Sequence, residues 1–368
     1  MSKVFSFIKK EAVLVCSWVL ALVSMFFVKP NAGYLDYIDF RTLSLLFVLM
    51  MIMASFRKIG MFEKIAHSLL ALVKNSRQLD AVLVLVAFFS SMFITNDVAL
   101  ITFVPIAIQT LRLAKCEKHI PFVVTMQTVG ANLGSILLPV GNPQNIFLFS
   151  LSDWSFGHFV SLMLPYVGVS FVAVVVSFFF VKKEKIALSV EEKSSVDKRR
   201  TAMYVILFII ALLSVAKIIP VYVPLVIILL FALVLDRKLF KYVDYSLLMT
   251  FVGFFIFVGN IGKISLFSDF VKNIIVGNEV VVSVAVSQII SNVPCALLLS
   301  GFTDNLSDIL VGVNIGGLGT LIASMASLIS YKYIVKQVPE MKKKYFRLFT
   351  LLNIVFLVIL LSLYFFIR

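Results

Sequence analysis

The residues of this chain that are most able to do chemistry stand inside an apolar run. The stretch "SSMFITNDVALITFVP", residues 90–105, carries Asn96 and Asp97 side by side. An ionised carboxylate at membrane depth costs at least about 2.5–3.5 kcal/mol unless it is paired. A bound Na⁺ would pair the carboxylate of Asp97, and a proton would neutralise it. Asp97 is therefore a candidate coupling-ion residue; the alternative is that it caps a helix by accepting N–H bonds from the residues that follow.

Three further segments combine polar residues with helix-breaking residues. They are Asn132 to Asn145, with two glycines and two prolines, Ser291 to Pro294, and Asn314 to Ser327, with three glycines. Irregular backbone survives at membrane depth only where protein or a water-filled cavity surrounds it. Freed oxygens can coordinate a cation there, while the amino ends of half-helices offer N–H groups and positive dipole to an anion. The pattern indicates a solute-binding site inside a membrane.

The composition indicates a polytopic membrane protein. Of the 368 residues, 61% are hydrophobic and 14% are charged, against roughly 45–50% and about 25% in soluble domains. The net charge of +14 fits Lys and Arg gathered in cytoplasmic loops rather than a nucleic-acid surface. The three cysteines, Cys16, Cys116 and Cys295, fit neither a metal spacing nor a disulfide framework.

Two apolar segments are interrupted near their centres. Segments 79–113 and 278–303 carry the motifs "ITNDVAL" and "ISNVPCALL", which leave arms shorter than the roughly 20 residues of a straight span. Each segment is predicted to be a re-entrant helical hairpin with its motif at the tip. For the first segment, two short tilted spans are the alternative. Segments 121–150 and 307–330 are predicted to be broken transmembrane helices.

The two halves of the chain resemble each other. "YIDFRTLSLLFVLMMIMASFRKIGMF" (37–62) aligns without a gap to "YVDYSLLMTFVGFFIFVGNIGKISLF" (242–267) at a shift of 205. A hairpin and a broken helix follow each copy, and the placement of Lys and Arg orients the copies in opposite directions. The predicted fold is an all-α polytopic membrane protein with an inverted-topology repeat, an arrangement found in many secondary transporters.

The predicted organisation has four parts, with a cytoplasmic amino terminus and a carboxyl terminus outside. They are a first repeat (1–181), which begins with a membrane helix, a cytoplasmic linker (182–200), an inverted second repeat (201–347) and a C-terminal transmembrane helix (348–368).

The polar motifs together resemble a known superfamily. "FITNDVALITFVPI" with "NLGSILLPVGNPQN" looks like the ion transporter superfamily, which includes divalent anion/sodium symporters, citrate-type permeases, arsenite permeases and a sodium/proton antiporter family. The resemblance covers roughly residues 35–335. It implies two re-entrant hairpins, a scaffold domain that dimerises and an elevator-like movement of a transport domain. The "GNPQN" signature (141–145) is similar to uncharacterised bacterial anion permeases of this superfamily.

The hairpin tips match the symporter branch of the superfamily in part. That branch carries Ser-Asn-Thr at each tip, where it binds sodium and substrate carboxylates. The first tip has Thr95 and Asn96 but replaces the last threonine by Asp97, and the second tip keeps Ser-Asn but has Val293 in the third position. The Asn-Asp pair of the first tip and the Asn-x-Pro sequence of the other tip are more similar to the arsenite-permease and antiporter branches.

The candidate site residues follow from these motifs and from the resemblance. The substrate-binding candidates are Thr95, Asn96, Asn142, Pro143, Ser291, Asn292 and Ser324. The coupling-ion candidates are Asn96, Asp97, Asn132, Gly134, Asn292, Asn314 and Gly316, with a candidate Na⁺ site at Asn96 and Asp97.

The expected function is secondary active transport of a small anion or oxyanion across the bacterial inner membrane. The expected mechanism is elevator-type alternating access coupled to Na⁺ or H⁺, with the cation binding first because an ionised Asp97 would repel an anion. Arsenite efflux or Na⁺/H⁺ antiport is the alternative. An aspartyl enzyme needs a second carboxylate facing the first, and the second tip has none, so no enzyme is expected. The expected partners are the small anion, the lipid bilayer and a second copy in a homodimer, with no nucleic acid and no cofactor besides the coupling ion.

Overall fold

The computed structural model describes residues 11–71, 73–186 and 197–368 of the chain, and these residues are helical or in turns between helices. The helices of the first half are α1 (Ala12–Met25), α2 (Phe40–Lys58), α3 (Met61–Leu70), α4 (Ser76–Ser90), α5 (Asn96–Leu113), α6 (Ile120–Gly134), α7 (Pro143–Leu151) and α8 (Phe156–Ser177). Those of the second half are α9 (Lys198–Val215), α10 (Tyr222–Leu235), α11 (Tyr245–Ile261), α12 (Ser265–Ile275), α13 (Glu279–Ile290), α14 (Asn292–Leu299), α15 (Leu306–Gly316), α16 (Met325–Gln337) and α17 (Lys342–Ile367). Short 3₁₀ helices lie at Ala32–Tyr37, Glu117–His119, Pro139–Gly141, Phe178–Phe180, Arg237–Tyr242 and Pro339–Met341. The predicted all-α fold with broken helices is confirmed.

The lengths of the helices fit a membrane protein with interrupted spans. Among the described residues, four helices are long and apolar enough to cross a membrane alone: Phe40–Lys58, Asn96–Leu113, Phe156–Phe180 and Pro339–Ile367. A fifth candidate is the pair Ser268–Ile275 and Glu279–Ile290, which is bent by 113°. Other apolar helices are shorter: Ala12–Met25, Tyr222–Leu235, Tyr245–Ile261 and Leu306–Gly316.

Helices α1, α2, α9, α10 and α11 form one part of the fold, which we call the frame. Helix α1 packs along α11, and α2 packs against α9 and α10. Asp39 caps α2 by accepting the Thr42 N–H at 2.9 Å, and Asp244 caps α11 by accepting the Leu247 N–H at 2.9 Å. The backbones of the two aspartates are nearly the same, with φ −77° and ψ 86° against φ −81° and ψ 84°. The two aligned sequence stretches therefore begin equivalent helices.

Helices α4–α7 and α13–α16 form the centre of the molecule, which we call the central unit. In each half, the first helix of the hairpin packs along the first part of the broken helix: α4 on α6 and α13 on α15. Both broken helices carry the motif Gly-x-Asn-x-Gly, at 130–134 and 312–316. Glycine allows this close approach, because a Cβ at Gly134 would lie 2.1 Å from the carbonyl oxygen of Phe88.

The predicted hairpins and broken helices are present as pairs of helices. Segment 79–113 corresponds to α4 and α5, and 121–150 to α6 and α7. Segment 278–303 corresponds to α13 and α14, and 307–330 to α15 and a longer α16. From α2 and from α11 onward, the order of helices is thus the same in both halves. The opposite orientation of the halves in the bilayer and the re-entrant path of the hairpins stay predictions.

Part of the predicted linker lies outside the described residues, which omit 187–196. The start of the linker binds the base of the first hairpin, where Ser76 Oγ donates to the Lys182 carbonyl at 3.0 Å and Ser76 N–H donates to the Glu184 carbonyl at 2.9 Å. Lys118 Nζ contacts Glu184 Oε1 at 2.6 Å. This hydrogen bond lowers the pKa of the Glu184 carboxyl below its ordinary value. The linker start is therefore anchored to the central unit.

Two helix starts differ from the predicted boundaries. Helix α9 begins at Lys198, inside the predicted linker, and α17 begins at Lys342, before the predicted start at 348. Both helices begin with basic residues, so the apolar segments of the sequence start later than the helices do.

Candidate functional site

Four helices begin at the same place in the central unit. They are α5 and α14, the second helices of the hairpins, and α7 and α16, the second parts of the broken helices. Their first residues surround a cavity of about 20 Å³, enough for one water molecule or one dehydrated ion. Two residues at the start of α11 close one side. The lining consists of Asn96, Asp97, Pro143, Gln144, Asn292, Val293, Ser324 and Met325 from the four helices, with Asp244 and Leu247 from α11.

The amino ends of these four helices lack the usual side-chain caps. The residues before or at their starts, Thr95, Asn142, Ser291 and Ser324, belong to types that commonly cap helices. In the part of the chain that the structure describes, none of these side chains makes the capping hydrogen bond to its helix. Free N–H groups and the positive end of the helix dipole both favour an anion. The four amino ends are therefore candidate contributors to an anion site.

Asn132, near the end of α6, connects the first hairpin to the second half of the chain. Its Oδ1 accepts hydrogen bonds from Asn96 Nδ2 at 2.9 Å and from Ser324 Oγ at 3.0 Å. Its Nδ2 donates to the carbonyl oxygen of Gly317 at 3.5 Å. Because the side chain is only 3% exposed, these bonds are shielded from competing water. Asn132 thus fixes the first tip relative to the second broken helix.

Asn314, near the end of α15, makes the corresponding connection from the second half of the chain to the first half. Its Nδ2 donates to Asn145 Oδ1 at 2.8 Å, and its Oδ1 accepts from Gln144 Nε2 at 3.1 Å. Asn145 Nδ2 in turn donates to the carbonyl oxygens of Ser135 and Leu138, at 3.3 and 3.4 Å. These bonds hold the unwound segment between α6 and α7.

The unwound segment between α15 and α16 is held by Gln288 of α13. Gln288 Nε2 donates to the carbonyl oxygens of Gly316 and Leu318, each at 3.0 Å, and Oε1 accepts the Thr320 N–H at 2.8 Å. Gly319 has a φ of +101°, and a Cβ there would lie 2.3 Å from Gln288 Oε1. Only glycine fits this position without strain.

The second hairpin tip has a strained backbone. Ser291 has a φ of +76°, a conformation that costs energy for a residue with a Cβ and that occurs often at functional sites. Asn292 N–H donates to the carbonyl oxygen of Ala323 at 3.0 Å, and Ser291 Oγ donates to the same oxygen at 3.4 Å. The tip is therefore fixed on the segment that leads into α16.

Asp97 lies in the first turn of α5 and has a free carboxylate oxygen. Its Oδ1 is buried, and among the described residues it has no hydrogen-bond partner. The Asp97 N–H donates to Asn96 Oδ1 at 2.8 Å. In the structure Asp97 therefore does not cap its helix through Oδ1, contrary to the capping alternative. A cation or a proton would satisfy the free oxygen.

A larger cavity of about 280 Å³ extends from Asp97 toward the frame. Its walls are mostly apolar side chains of α2, α5 and α16. Of the described residues in the lining, those with polar side chains are Arg57, Thr95, Asp97, Tyr242 and Asp244. Arg57 is the one Lys or Arg among the described residues that line either cavity. The route to the central site therefore carries charges of both signs.

Most of the residues predicted from the sequence lie at this site. Asn96, Asp97, Pro143, Asn292 and Ser324 line the small cavity. Thr95 lines the larger one, while Asn132, Asn314 and Ser291 are one hydrogen bond away. The predicted roles of these residues in binding substrate or ion stay predictions.

Three predicted residues lie apart from the cavity lining. Asn142 Nδ2 donates to Ser135 Oγ at 2.8 Å, and in the described structure its Oδ1 is buried without a partner. Gly134 and Gly316 pack against the first helices of the hairpins, and a Cβ at Gly316 would lie 2.8 Å from Ser287 Oγ. Close packing accounts for these two glycines, and their expected coupling role stays a prediction.

Five functional candidates were missed by the sequence reasoning. Gln144 and Asn145 lie within the "GNPQN" motif, which contains the signal that could have found them. Asp244 was visible as the repeat partner of Asp39, but nothing in the sequence places it beside Asp97. The other two, Arg57 and Gln288, carry no local signal.

Comparison with known proteins agrees with this architecture. The family model described as citrate transporter, CitMHS, matches residues 4–308. The chain is 34% identical over 299 residues to the uncharacterized transporter MJ0456 of Methanocaldococcus jannaschii, covering 80% of this chain and 81% of that protein. It is 28% identical over 302 residues to the inner membrane protein YbiR of Escherichia coli, covering 80% of each. A shorter match, 28% identical over 150 residues, covers 40% of this chain and 26% of the putative transporter arsB of Dictyostelium discoideum.

Proposed function

Since the chain belongs to the citrate transporter family, and is thus a membrane transporter rather than an enzyme, we propose that it moves a small oxyanion by cation-coupled secondary transport. The observation that carries this proposal is the meeting of four helix amino ends without side-chain caps around one cavity, next to the buried free carboxylate oxygen of Asp97. The helix amino ends favour an anion, and the carboxylate oxygen favours a cation.

The helix amino ends supply the anion site. Each end concentrates partial positive charge in its first turn, and the effect is largest where water is excluded. The side chains around the ends are amides and hydroxyls, which can donate further hydrogen bonds to an oxyanion. Asn96, Gln144 and Asn292 are in position to do so because they line the cavity and each amide group has two N–H donors. The single O–H of Ser324 already donates to Asn132 Oδ1.

Asp97 supplies the cation site. Asp97 lines the small cavity together with the amide side chain of Asn96, and carboxylate and amide oxygens are suitable ligands for Na⁺. A proton on the carboxylate would serve the same purpose. In either case, the neutralised carboxylate ceases to repel the oxyanion, so the cation binds first and transport is coupled to its gradient.

A second candidate function is movement of an uncharged oxyacid such as arsenous acid. The described lining of the small cavity contains no Lys or Arg, and amide and hydroxyl groups suit a neutral hydroxylated solute. The name of one partial match agrees with this alternative: a silicon efflux transporter, LSI3 of Oryza sativa, is 29% identical over 131 residues, which cover 35% of this chain and 26% of that protein.

The wider setting of the mechanism is also part of the proposal. The central unit would move as an elevator against the frame, with the protein as a homodimer in the bacterial inner membrane. The amino terminus would be cytoplasmic and the carboxyl terminus outside. The packing of α2 and α11 of the frame against α7 and α14 of the central unit gives the surface along which such a movement would occur.

Uptake by purified protein in liposomes tests the proposed function. Radiolabelled citrate, phosphate, sulfate and arsenite are offered with an inward Na⁺ gradient, with an inward H⁺ gradient and with neither. We expect uptake of at least one charged oxyanion that one of the gradients accelerates. Uptake of arsenite alone supports the second candidate. Uptake that ignores both gradients contradicts cation coupling, and no uptake of any of the four solutes overturns the proposal.

A further inference from the structure

Arg57 lies at the mouth of the larger cavity. It is in the last turn of α2, its side chain is exposed, and its guanidinium carbon lies 5.9 Å from the centre of the Tyr242 ring. Tyr242 lines the same cavity and is 50% exposed. A cation–π contact of this kind positions a guanidinium without occupying its in-plane N–H donors. Those donors are therefore available to a solute that enters.

Arg57 carries a charge that no described neighbour pairs with. Within the described parts of the chain it has no ion pair, although Asp97 and Asp244 line the same cavity. The adjacent Lys58 differs, because its ammonium is paired with the carboxylate of Asp236. An unpaired guanidinium has a planar fork of donors that matches two oxygens of a carboxylate, phosphate or sulfate.

We propose that Arg57 captures the oxyanion at this mouth and is a specificity-determining residue of the transporter. The inference rests on the proposed function and narrows its substrate to oxyanions that present two oxygens on one face. The carboxylates of Asp97 and Asp244 alone would repel such an anion. One coupling cation at Asp97 together with Arg57 offsets both negative charges, and the anion then passes from Arg57 to the helix amino ends.

The test compares three variants in membrane vesicles of both orientations. Arg57→Gln removes the charge, Arg57→Lys keeps the charge without the fork, and Lys58→Gln is the matched control on the next residue. The probe is whichever of citrate, inorganic phosphate or sulfate the wild-type protein takes up, and initial rates give KM and kcat for each face.

We expect Arg57→Gln to raise KM about tenfold with kcat within about twofold, since a charged hydrogen bond is lost from binding. The rise is expected at one face only, which on the predicted topology is the cytoplasmic face presented by inside-out vesicles. Arg57→Lys is expected to be intermediate, and Lys58→Gln to resemble the wild type. Elution of each purified variant as a single species in detergent shows that it is folded.

Two results overturn the inference in distinguishable ways. In the first, the wild-type protein takes up an oxyanion but the KM of Arg57→Gln is unchanged, is raised equally at both faces, or is raised no more than the KM of Lys58→Gln. The role of Arg57 is then refuted and the proposed function stands. If the wild-type protein takes up none of the three oxyanions, the proposed function itself fails and the inference falls with it.

Discussion

Asn132 and Asn314 occupy equivalent positions in the two halves of the chain, and each is hydrogen-bonded to the half to which it does not belong. Ser324 Oγ donates to Asn132 Oδ1 at 3.0 Å, and Asn314 Nδ2 donates to Asn145 Oδ1 at 2.8 Å. Both asparagines are buried. These side chains therefore help to hold the four helix amino ends in their relative positions.

Replacement of Asn314 by alanine is expected to destabilise the protein. It leaves the amide groups of Gln144 and Asn145 buried without this partner, which costs about 1–3 kcal/mol for each unsatisfied group. The midpoint of thermal unfolding in detergent should fall. The control is Asn278→Ala, an exposed amide at the start of α13, whose effect should stay within about 0.5 kcal/mol. Equal midpoints for Asn314→Ala and the control would contradict the role given to Asn314.

A methyl group at Gly134 is expected to separate the first hairpin from its broken helix. The Cβ would lie 2.1 Å from the Phe88 carbonyl oxygen and 2.7 Å from Ser91 Oγ, so backbone must shift at a cost of about 1–3 kcal/mol or more. The unfolding midpoint of Gly134→Ala should be clearly lower than that of the wild type.

Gly168→Ala is the matched control for that substitution. Gly168 lies inside α8, and a Cβ there meets no described atom within 4 Å. Alanine in the middle of a helix should stabilise the protein by about 0.5–1 kcal/mol. A fall in the midpoint for Gly168→Ala as large as that for Gly134→Ala would show that close packing is not the reason for the glycine.

The buried pair Asp80 and His119 is expected to be important for stability. His119 Nδ1 lies 2.7 Å from Asp80 Oδ2, with side chains 8% and 0% exposed. His119→Ala leaves the buried carboxyl group of Asp80 without this hydrogen-bond partner, which costs about 1–3 kcal/mol. The exposed His158, at the start of α8, supplies the control His158→Ala. Equal unfolding midpoints for the two variants would contradict the importance of the pair.

The sequence was sufficient to predict the segments that form the site. It was not sufficient to predict which residues of the frame lie against them. The motifs around Asn96, Asn132, Ser291 and Asn314 each have a local signal, because polar residues and helix breakers are costly in an apolar run. Because the same order of segments occurs in both halves of the chain, the four motifs are expected to lie close together. Asp244 lies about 150 residues from Asp97 in the chain, and only the packing of α11 against the central unit brings it there.

The same distinction applies to single residues within a motif. The motif "GNPQN" predicts a broken helix. It does not predict that Asn145 is hydrogen-bonded to Asn314 while Asn142 is hydrogen-bonded to Ser135. Gly134 and Gly316, the last glycines of the two Gly-x-Asn-x-Gly motifs, are predicted from the sequence to have a role in binding the coupling ion. The structure gives their packing partners, Phe88 and Ser287, which lie on other helices and are invisible in the local sequence.

Titration of purified protein with the transported oxyanion, with and without the coupling cation, tests the central claim most directly. The wild-type protein should bind the anion at least about tenfold more tightly with the cation, because the cation removes the repulsion from Asp97. Asp97→Asn should bind the anion equally well in both conditions, and Asp269→Asn, an exposed carboxylate of α12, should behave as the wild type. Anion affinity of the wild-type protein that does not change with the cation would contradict the account.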